Sequence, residues 1–159
     1  MKDARTGEAL PDAPRSTPQE KYHLVGIGGA GMSVVAELLA ASGAAVSGSD
    51  SKESQTTRRL AAEGISVSIG HDARHVPADA VLVVSSAIRE SNPELAAARE
   101  RSQKVLHRSQ ALALAARGRD FVAVAGAHGK TTTSAMIATA LREAGLDPSW
   151  AIGGSVVGA

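Results

Sequence analysis

The sequence predicts a doubly wound parallel α/β sheet, followed by the opening strand–loop–helix unit of a second sheet. Three observations carry that expectation. Short apolar runs and helix-length segments alternate five times between Tyr22 and Arg119, each unit about 20 residues long. Glycines cluster directly after the first run, at Gly26, Gly28 and Gly31, and Asp50 stands at the end of the second run. A further apolar run, Phe121 to Ala125, leads into Gly126, Gly129, Lys130 and Thr131. Alternation of this kind builds parallel strands joined by crossover helices.

Composition narrows the rest. Tyr22, Phe121 and Trp150 are the only aromatic residues, so the core must be built from Ala, Val, Leu and Ile. A formal net charge of +1 gives no general attraction to nucleic acid or to an anionic membrane. There is no cysteine, hence no disulfide framework and no thiolate metal site. No apolar run approaches the roughly 20 residues of a membrane span, and the N-terminus lacks the apolar core of a signal peptide. A soluble, cytoplasmic protein is expected.

Met1 to about Lys21 mixes four basic and four acidic residues with three prolines and shows no periodicity. A disordered tail is expected there. Tyr22 to Val25 reads as the first strand. Met32, Val35, Leu38 and Leu39 recur at helical spacing behind the glycines, and Gly43 stops that helix. Ala45 to Gly48 is a second strand, ending at Ser49-Asp50. Ser54 caps a helix to about Glu63, which Gly64 closes. Ile65 to Ile69 alternates as a strand does and runs into Gly70-His71. Ala80 to Val84 is continuously apolar, as a central parallel strand should be, and ends at Ser85-Ser86-Ala87.

Asn92-Pro93 opens a helix to about Arg101. Lys104 to Leu106 is a short strand, and Ser109 caps an Ala- and Leu-rich helix that stops near Gly118. The expected strand order is 3-2-1-4-5. Phe121 to Ala125 then starts a new strand, with a helix from Lys130 to about Ala144 that Gly145 and Pro148 end. Trp150 to Ile152 begin one more strand. Three regions follow: a tail over 1–21, a nucleotide-binding domain over 22–119, and the truncated start of a second domain over 120–159.

Gly26, Gly28 and Gly31 fit a diphosphate-binding loop between strand and helix. Gly26 permits the turn, Gly28 lets backbone approach a diphosphate, and Gly31 allows close helix–strand packing. The helix N-terminus adds partial positive charge. The ordinary ligand of this pattern, with Asp50 19 residues after Gly31, is NAD or FAD. A UDP-sugar satisfies the same physics. Ser85, Ser86 and Ala87 fall beside the first loop, where the strand order reverses and such sheets bind ligands. His71 follows the third strand on the same rim. His23, His75 and His107 lack metal-ligand spacing, and no histidine metal site is expected.

The second loop, Gly126-Ala-His-Gly-Lys130-Thr-Thr-Thr133, supplies what a nucleoside triphosphate needs. It offers free N–H groups at a helix N-terminus, a lysine for the β/γ oxygens and a hydroxyl for Mg²⁺. Its spacing is unusual: Val124 stands five residues before Gly129, where the common loop has glycine.

Five segments in order resemble the Mur ligases of peptidoglycan synthesis. They are Val25-Gly-Ile-Gly-Gly-Ala-Gly-Met-Ser33, Ser47-Gly-Ser-Asp50, Ile69-Gly-His71, Val84-Ser-Ser-Ala-Ile88 and Ala125-Gly-Ala-His-Gly-Lys-Thr-Thr-Thr133. The resemblance covers about Tyr22 to Gly154 and is nearest to the members that join L-alanine to UDP-N-acetylmuramate. It implies a UDP-binding Rossmann-like domain, a central ATPase domain and a C-terminal amino-acid domain. The implied reaction is ATP-dependent amide formation: ATP phosphorylates the muramoyl carboxylate, and the amine of L-alanine attacks the acyl phosphate.

By the resemblance, Gly28, Gly29, Ala30, Gly31, Met32 and Ser33 hold the UDP diphosphate. Asp50, His71, Ser85, Ser86 and Ala87 surround the nucleotide-sugar. Gly126, Ala127, His128, Gly129, Lys130, Thr131 and Thr132 cradle ATP, with Lys130 on the β/γ-phosphates and Thr131 at Mg²⁺. Lys130 also offsets charge on the transferred phosphoryl group. Ala127 stands where the family usually has Thr, which removes one hydroxyl near the phosphates. With the central domain ending at Ala159, UDP-sugar binding without turnover is expected. Two other readings remain open. An NAD-binding module of an oxidoreductase uses Gly26 to Gly31 and Asp50 but leaves Lys130 without a task. A non-catalytic module would bind the UDP-precursor and stop there.

Overall fold

The computed structural model describes residues 20–117 and 120–152. Five strands form one parallel sheet: β1 (Lys21–Val25), β2 (Ala45–Asp50), β3 (Ser66–Ile69), β4 (Val81–Val84) and β5 (Val105–His107). Their order is β3-β2-β1-β4-β5, as expected from the sequence. The helices are α1 (Ala30–Ala41), α2 (Gln55–Ala62), α3 (Pro93–Glu100), α4 (Arg108–Ala115) and α5 (Lys130–Glu143). The expected tail, apart from its last two residues, lies outside the described residues, as do the stop at Gly118 and the boundary at Arg119.

Helix boundaries follow local chemistry. Ser54 Oγ accepts the Thr57 N–H while the Thr57 side chain returns to the Ser54 N–H, a complete capping box for α2. Asn92 Oδ1 accepts the N–H groups of Glu94 and Leu95 at the start of α3. Gly43, Gly64 and Gly145 follow their helices at positive φ, which removes the Cβ penalty of a left-handed stop.

Alternation along the strands sorts side chains onto two faces. One face presents Tyr22, Leu24 and Val83 to Ile27, Met32, Val35 and Leu39, with Leu60 of α2 and Ala111 of α4 completing a fully apolar core. On the other, Val25 and Leu82 pack under Val76, Leu95 and Ala98. That second face turns polar toward β2: His23 pairs in register with Ser47 on one side and Leu82 on the other, and Ser49 is fully buried.

Several expectations are corrected. Lys21 belongs to β1 rather than to the tail: it pairs with Ala45, and its ammonium lies 2.6 Å from Asp79 Oδ2. The cap of α4 is His107, not Ser109. Strand β5 delivers His107 with extended backbone, its Nδ1 accepts the Ser109 N–H, and the Gln110 side chain returns to the His107 N–H. A 3₁₀ turn at Ala73–His75, capped by Asp72, was not expected.

Phe121 to Ala125 is not a strand, and neither is Trp150 to Ile152. Strand backbone needs a partner, and no described segment pairs with this run. Phe121 and Val122 stay 61% and 63% exposed. The segment instead borders an apolar cleft of about 650 Å³ whose walls include Leu38, Leu112, Ile137, Leu141 and Trp150. Only Ala138 is buried in α5.

Candidate functional site

The first glycine loop sits where β1 and β4 adjoin, at the C-terminal edge of the sheet. Gly26 holds φ +76°, and its N–H and that of Ile27 both donate to the Ser49 carbonyl, at 2.8 and 2.9 Å. β2 thus clamps the turn. Gly29 is the N-cap of α1 but offers no side chain, and no acidic residue occupies the first turn. The N–H groups of Met32 and Ser33 both donate to the Gly29 carbonyl. Those of Ala30 and Gly31 have no acceptor among the described residues. Two free donors at the positive end of a twelve-residue helix are suited to a diphosphate.

Other predicted residues take distinct places. Asp50 Oδ2 accepts the Gly28 N–H at 2.9 Å, so the acid engages the loop itself. Met32 is 3% and Ser33 4% exposed; their side chains are core, and only their backbone belongs to the loop. Ser85 to Ala87 form a turn closed by the Ile88 N–H on the Ser85 carbonyl. Ile88 Cδ1 lies 3.5 Å from where a Cβ on Gly26 would stand, so this turn borders the glycine loop. His71 Nδ1 lies 2.9 Å from Ser49 Oγ.

The second loop is open. Gly129, at φ +79°, is the N-cap of α5, and residues 125–133 are all exposed. The N–H groups of residues 127–132 have no acceptor among the described residues, a longer run of free donors than in the first loop. Lys130 folds back and donates to the carbonyls of Gly126, at 2.6 Å, and Ala127, at 3.1 Å. Those carbonyl partners hold the ammonium against the loop it would serve.

The Mur ligase family catalytic domain model matches residues 21–120. The chain belongs to the Mur ligase family. A UDP-N-acetylmuramate–L-alanine ligase of Kineococcus radiotolerans is 57% identical over 141 residues, covering 87% of this chain and 30% of that protein. The UDP-N-acetylmuramate–alanine ligase structure from Thermotoga maritima superposes with a TM-score of 0.71 at 35% identity, covering 78% of this chain and 29% of that one. The UDP-N-acetylmuramate:L-alanyl-γ-D-glutamyl-meso-diaminopimelate ligase structure from Neisseria meningitides gives 0.77 at 33%, covering 86% and 44%. This Mur ligase chain spans about 30% of the length of the curated relatives it matches.

Two features escaped the sequence reading of this family member. Arg108, first residue of α4, lays its guanidinium where a Cβ on Gly31 would stand. Gly31 therefore makes room for a cation at the mouth of the first loop. Glu94, 0% exposed, lies at the start of α3 among three imidazoles. Its Oε2 accepts the Ser49 hydroxyl at 2.5 Å and lies 3.8 Å from His23 Nε2 and 3.5 Å from His71 Nδ1. Its Oε1 faces His75 Nδ1 at 3.4 Å and the Asp72 N–H at 3.3 Å. Burial disfavours the charge, but His23, the Ser49 hydroxyl and the Asp72 N–H outweigh it and hold the carboxyl below its ordinary range. No group of three or more His, Asp or Glu side chains among the described residues, this cluster included, is arranged to hold a metal ion. No described helix is long and apolar enough to cross a membrane.

Proposed function

We propose that this chain carries the nucleotide-sugar-binding part of a cytoplasmic ligase that joins L-alanine to UDP-N-acetylmuramate at the expense of ATP. The observation that supports the reading most directly is the first loop. Free N–H groups of Ala30 and Gly31 stand at the N-terminus of α1, between the Asp50 strand end and the Ser85–Ala87 turn, in a chain whose relatives are named for that substrate. In this reading residues 22–119 hold the UDP-sugar. Gly28 to Ser33 supply the backbone cradle, and Asp50, His71 and Ser85 to Ala87 line the nucleotide-sugar.

Residues 120–159 begin the ATP domain. The N–H groups of Ala127 to Thr132 receive the phosphate chain, and Lys130 leaves its carbonyl partners for the β/γ oxygens. Mg²⁺, when bound with ATP, stabilises charge on the phosphates, and Thr131 offers it one neutral hydroxyl. Lys130 offsets charge on the γ-phosphoryl group as it passes to the muramoyl carboxylate. The amine of L-alanine then displaces phosphate to leave the amide. The 159 residues alone bind UDP-sugar but do not turn over. Isothermal titration of the purified chain with UDP-N-acetylmuramate, NADH and ATP–Mg²⁺ tests this. Heat with the UDP-sugar and none with NADH is expected; the reverse pattern would sink the proposal in favour of a nicotinamide module.

A further inference from the structure

We infer that buried Glu94 is a positioning residue for the sugar-nucleotide site: through Ser49 it fixes the His71 imidazole as the Nδ1–H tautomer, leaving Nε2 as a bare acceptor for a ligand hydroxyl. The inference rests on the proposed UDP-sugar reading, which makes His71 part of the site.

The proton count carries it. Glu94 Oε2 lies 2.5 Å from Ser49 Oγ, and an ionised carboxylate only accepts, so the single Ser49 hydroxyl proton is spent on Glu94. Ser49 Oγ lies 2.9 Å from His71 Nδ1 as well. With no proton left to give, the hydroxyl oxygen accepts there, and Nδ1 is the donor. In a neutral imidazole the other nitrogen then carries a lone pair. Backbone geometry makes Ser49 a dependable relay. Its carbonyl is already committed to the N–H groups of Gly26 and Ile27, and the residue is fully buried. His71 is held from inside, and its side chain keeps 23% exposure at the rim of the sheet.

The other groups facing Glu94 do not take its place as the partner of Ser49. His23, in β1, turns its Nδ1 to Ser47 Oγ at 2.9 Å, and its Nε2, 3.8 Å from Glu94 Oε2, makes no hydrogen bond among the described residues. His75 Nδ1, in the 3₁₀ turn, makes none either. The Asp72 N–H contacts the far oxygen, Oε1. Glu94 itself is locked by its place in α3, where its N–H donates to Asn92 Oδ1 at 2.9 Å.

The test combines nitrogen-15 NMR of the histidine rings at pH 8 with calorimetric titration of UDP-N-acetylmuramate into the whole chain. In the unaltered protein the His71 ring shows the Nδ1–H pattern. In Glu94→Gln the new amide donates to Ser49, whose hydroxyl turns toward His71, and the Nε2–H pattern appears. UDP-N-acetylmuramate affinity falls about tenfold, near the upper end of what one neutral hydrogen bond contributes. In a His71→Gln background the same change costs less than about twofold, because the residue through which Glu94 acts is gone. Ser49→Ala removes the relay hydroxyl but leaves Glu94 Oε2 3.5 Å from His71 Nδ1, so there the Nδ1–H form gives way to a mixture rather than inverting, a change that serves if Glu94→Gln does not fold. An unchanged tautomer in both variants, or an equal affinity loss with and without His71, overturns the inference while leaving the UDP-sugar reading intact. No binding by the unaltered chain overturns both.

Discussion

Gly26 to Gly31 and Gly126 to Lys130 each join an apolar run to a helix through a glycine at positive φ, +76° at Gly26 and +79° at Gly129. Around the first, β2 supplies a carbonyl, Asp50 an acceptor, Ile88 in the turn after β4 an apolar wall and α4 a guanidinium. Around the second, among the described residues, there is only its own lysine. Free N–H groups at a helix start are a local product of sequence, and both loops have them. Enclosure comes from neighbouring strands, and among the described residues only the first loop has those. A phosphate-binding loop is therefore a local invention, whereas a site is a property of the sheet around it.

The largest expected contrast is in hydrogen exchange. Amides of β1 and β4 should open only with global unfolding, while those of 121–132 exchange almost freely, a gap of about 5 kcal/mol or more. Comparable protection in both segments would abolish the distinction drawn between the loops.

A smaller effect isolates the support of the first loop. A Cβ on Gly48 would stand 2.6 Å from the Leu24 carbonyl and 2.6 Å from Ile27 Cδ1. Backbone of a paired strand cannot yield, so Gly48→Ala should cost about 3 kcal/mol in urea unfolding. A loss below about 1 kcal/mol would mean that β1 and β2 are looser than described.

The glycines of the two loops should fail for different reasons. On Gly28 a Cβ would press on Asp50 Oδ2 and Thr57 Cγ2, each at 2.9 Å. Gly28→Ala should then lower UDP-N-acetylmuramate affinity about tenfold, roughly one displaced hydrogen bond, with the fold kept. On Gly129 the nearest neighbour of a Cβ among the described residues is Thr133 Oγ1, at 4.0 Å. Gly129→Ala should cost only the left-handed backbone penalty, about 1 kcal/mol, read as loss of helicity in α5. A steric phenotype at Gly129 would show that its loop is enclosed after all.

The last effect is on acid stability. Glu94 has its carboxyl held below the ordinary range, burial being outweighed by His23, Ser49 and the Asp72 N–H. A depressed folded value stabilises the fold above the unfolded carboxyl value of about 4.3, and the benefit goes as pH falls through the folded one. Urea midpoints should drop on acidification below that point, and in Glu94→Gln the drop should be shallower. Equal acid slopes in both proteins would show that Glu94 contributes nothing there.

Much of this fold was legible because its signals are local. Gly43 and Gly64 stop helices by φ alone, Asn92-Pro93 starts one by cap and ring, and order 3-2-1-4-5 follows from five βα units. What was missed depends on distant partners. Phe121 to Val124 is as apolar as many strands, yet no described neighbour meets its N–H groups, and sequence pattern does not report whether a neighbour is there. Glu94 reads as an ordinary acid in a first helical turn, favoured there by the dipole; nothing local says that β1, β2 and the 3₁₀ turn close over it. The serines at 47 and 49, alternating with Val46 and Gly48, were the one available hint that this face of β2 is polar. The cap at His107 was hidden because Ser109 is the commoner capping residue.

Ser49 has a consequence for how such a chain drifts over generations. Its carbonyl ties the glycine turn, and its hydroxyl joins a carboxylate to an imidazole. Losing Glu94 first turns the Ser49 hydroxyl onto His71, losing Ser49 first leaves a buried carboxylate one donor short, and losing His71 first leaves the other two joined but idle. The routes differ in cost, and the third is the mildest. Descent away from this arrangement should therefore begin at the rim and reach the interior last, with positions 49 and 94 replaced together.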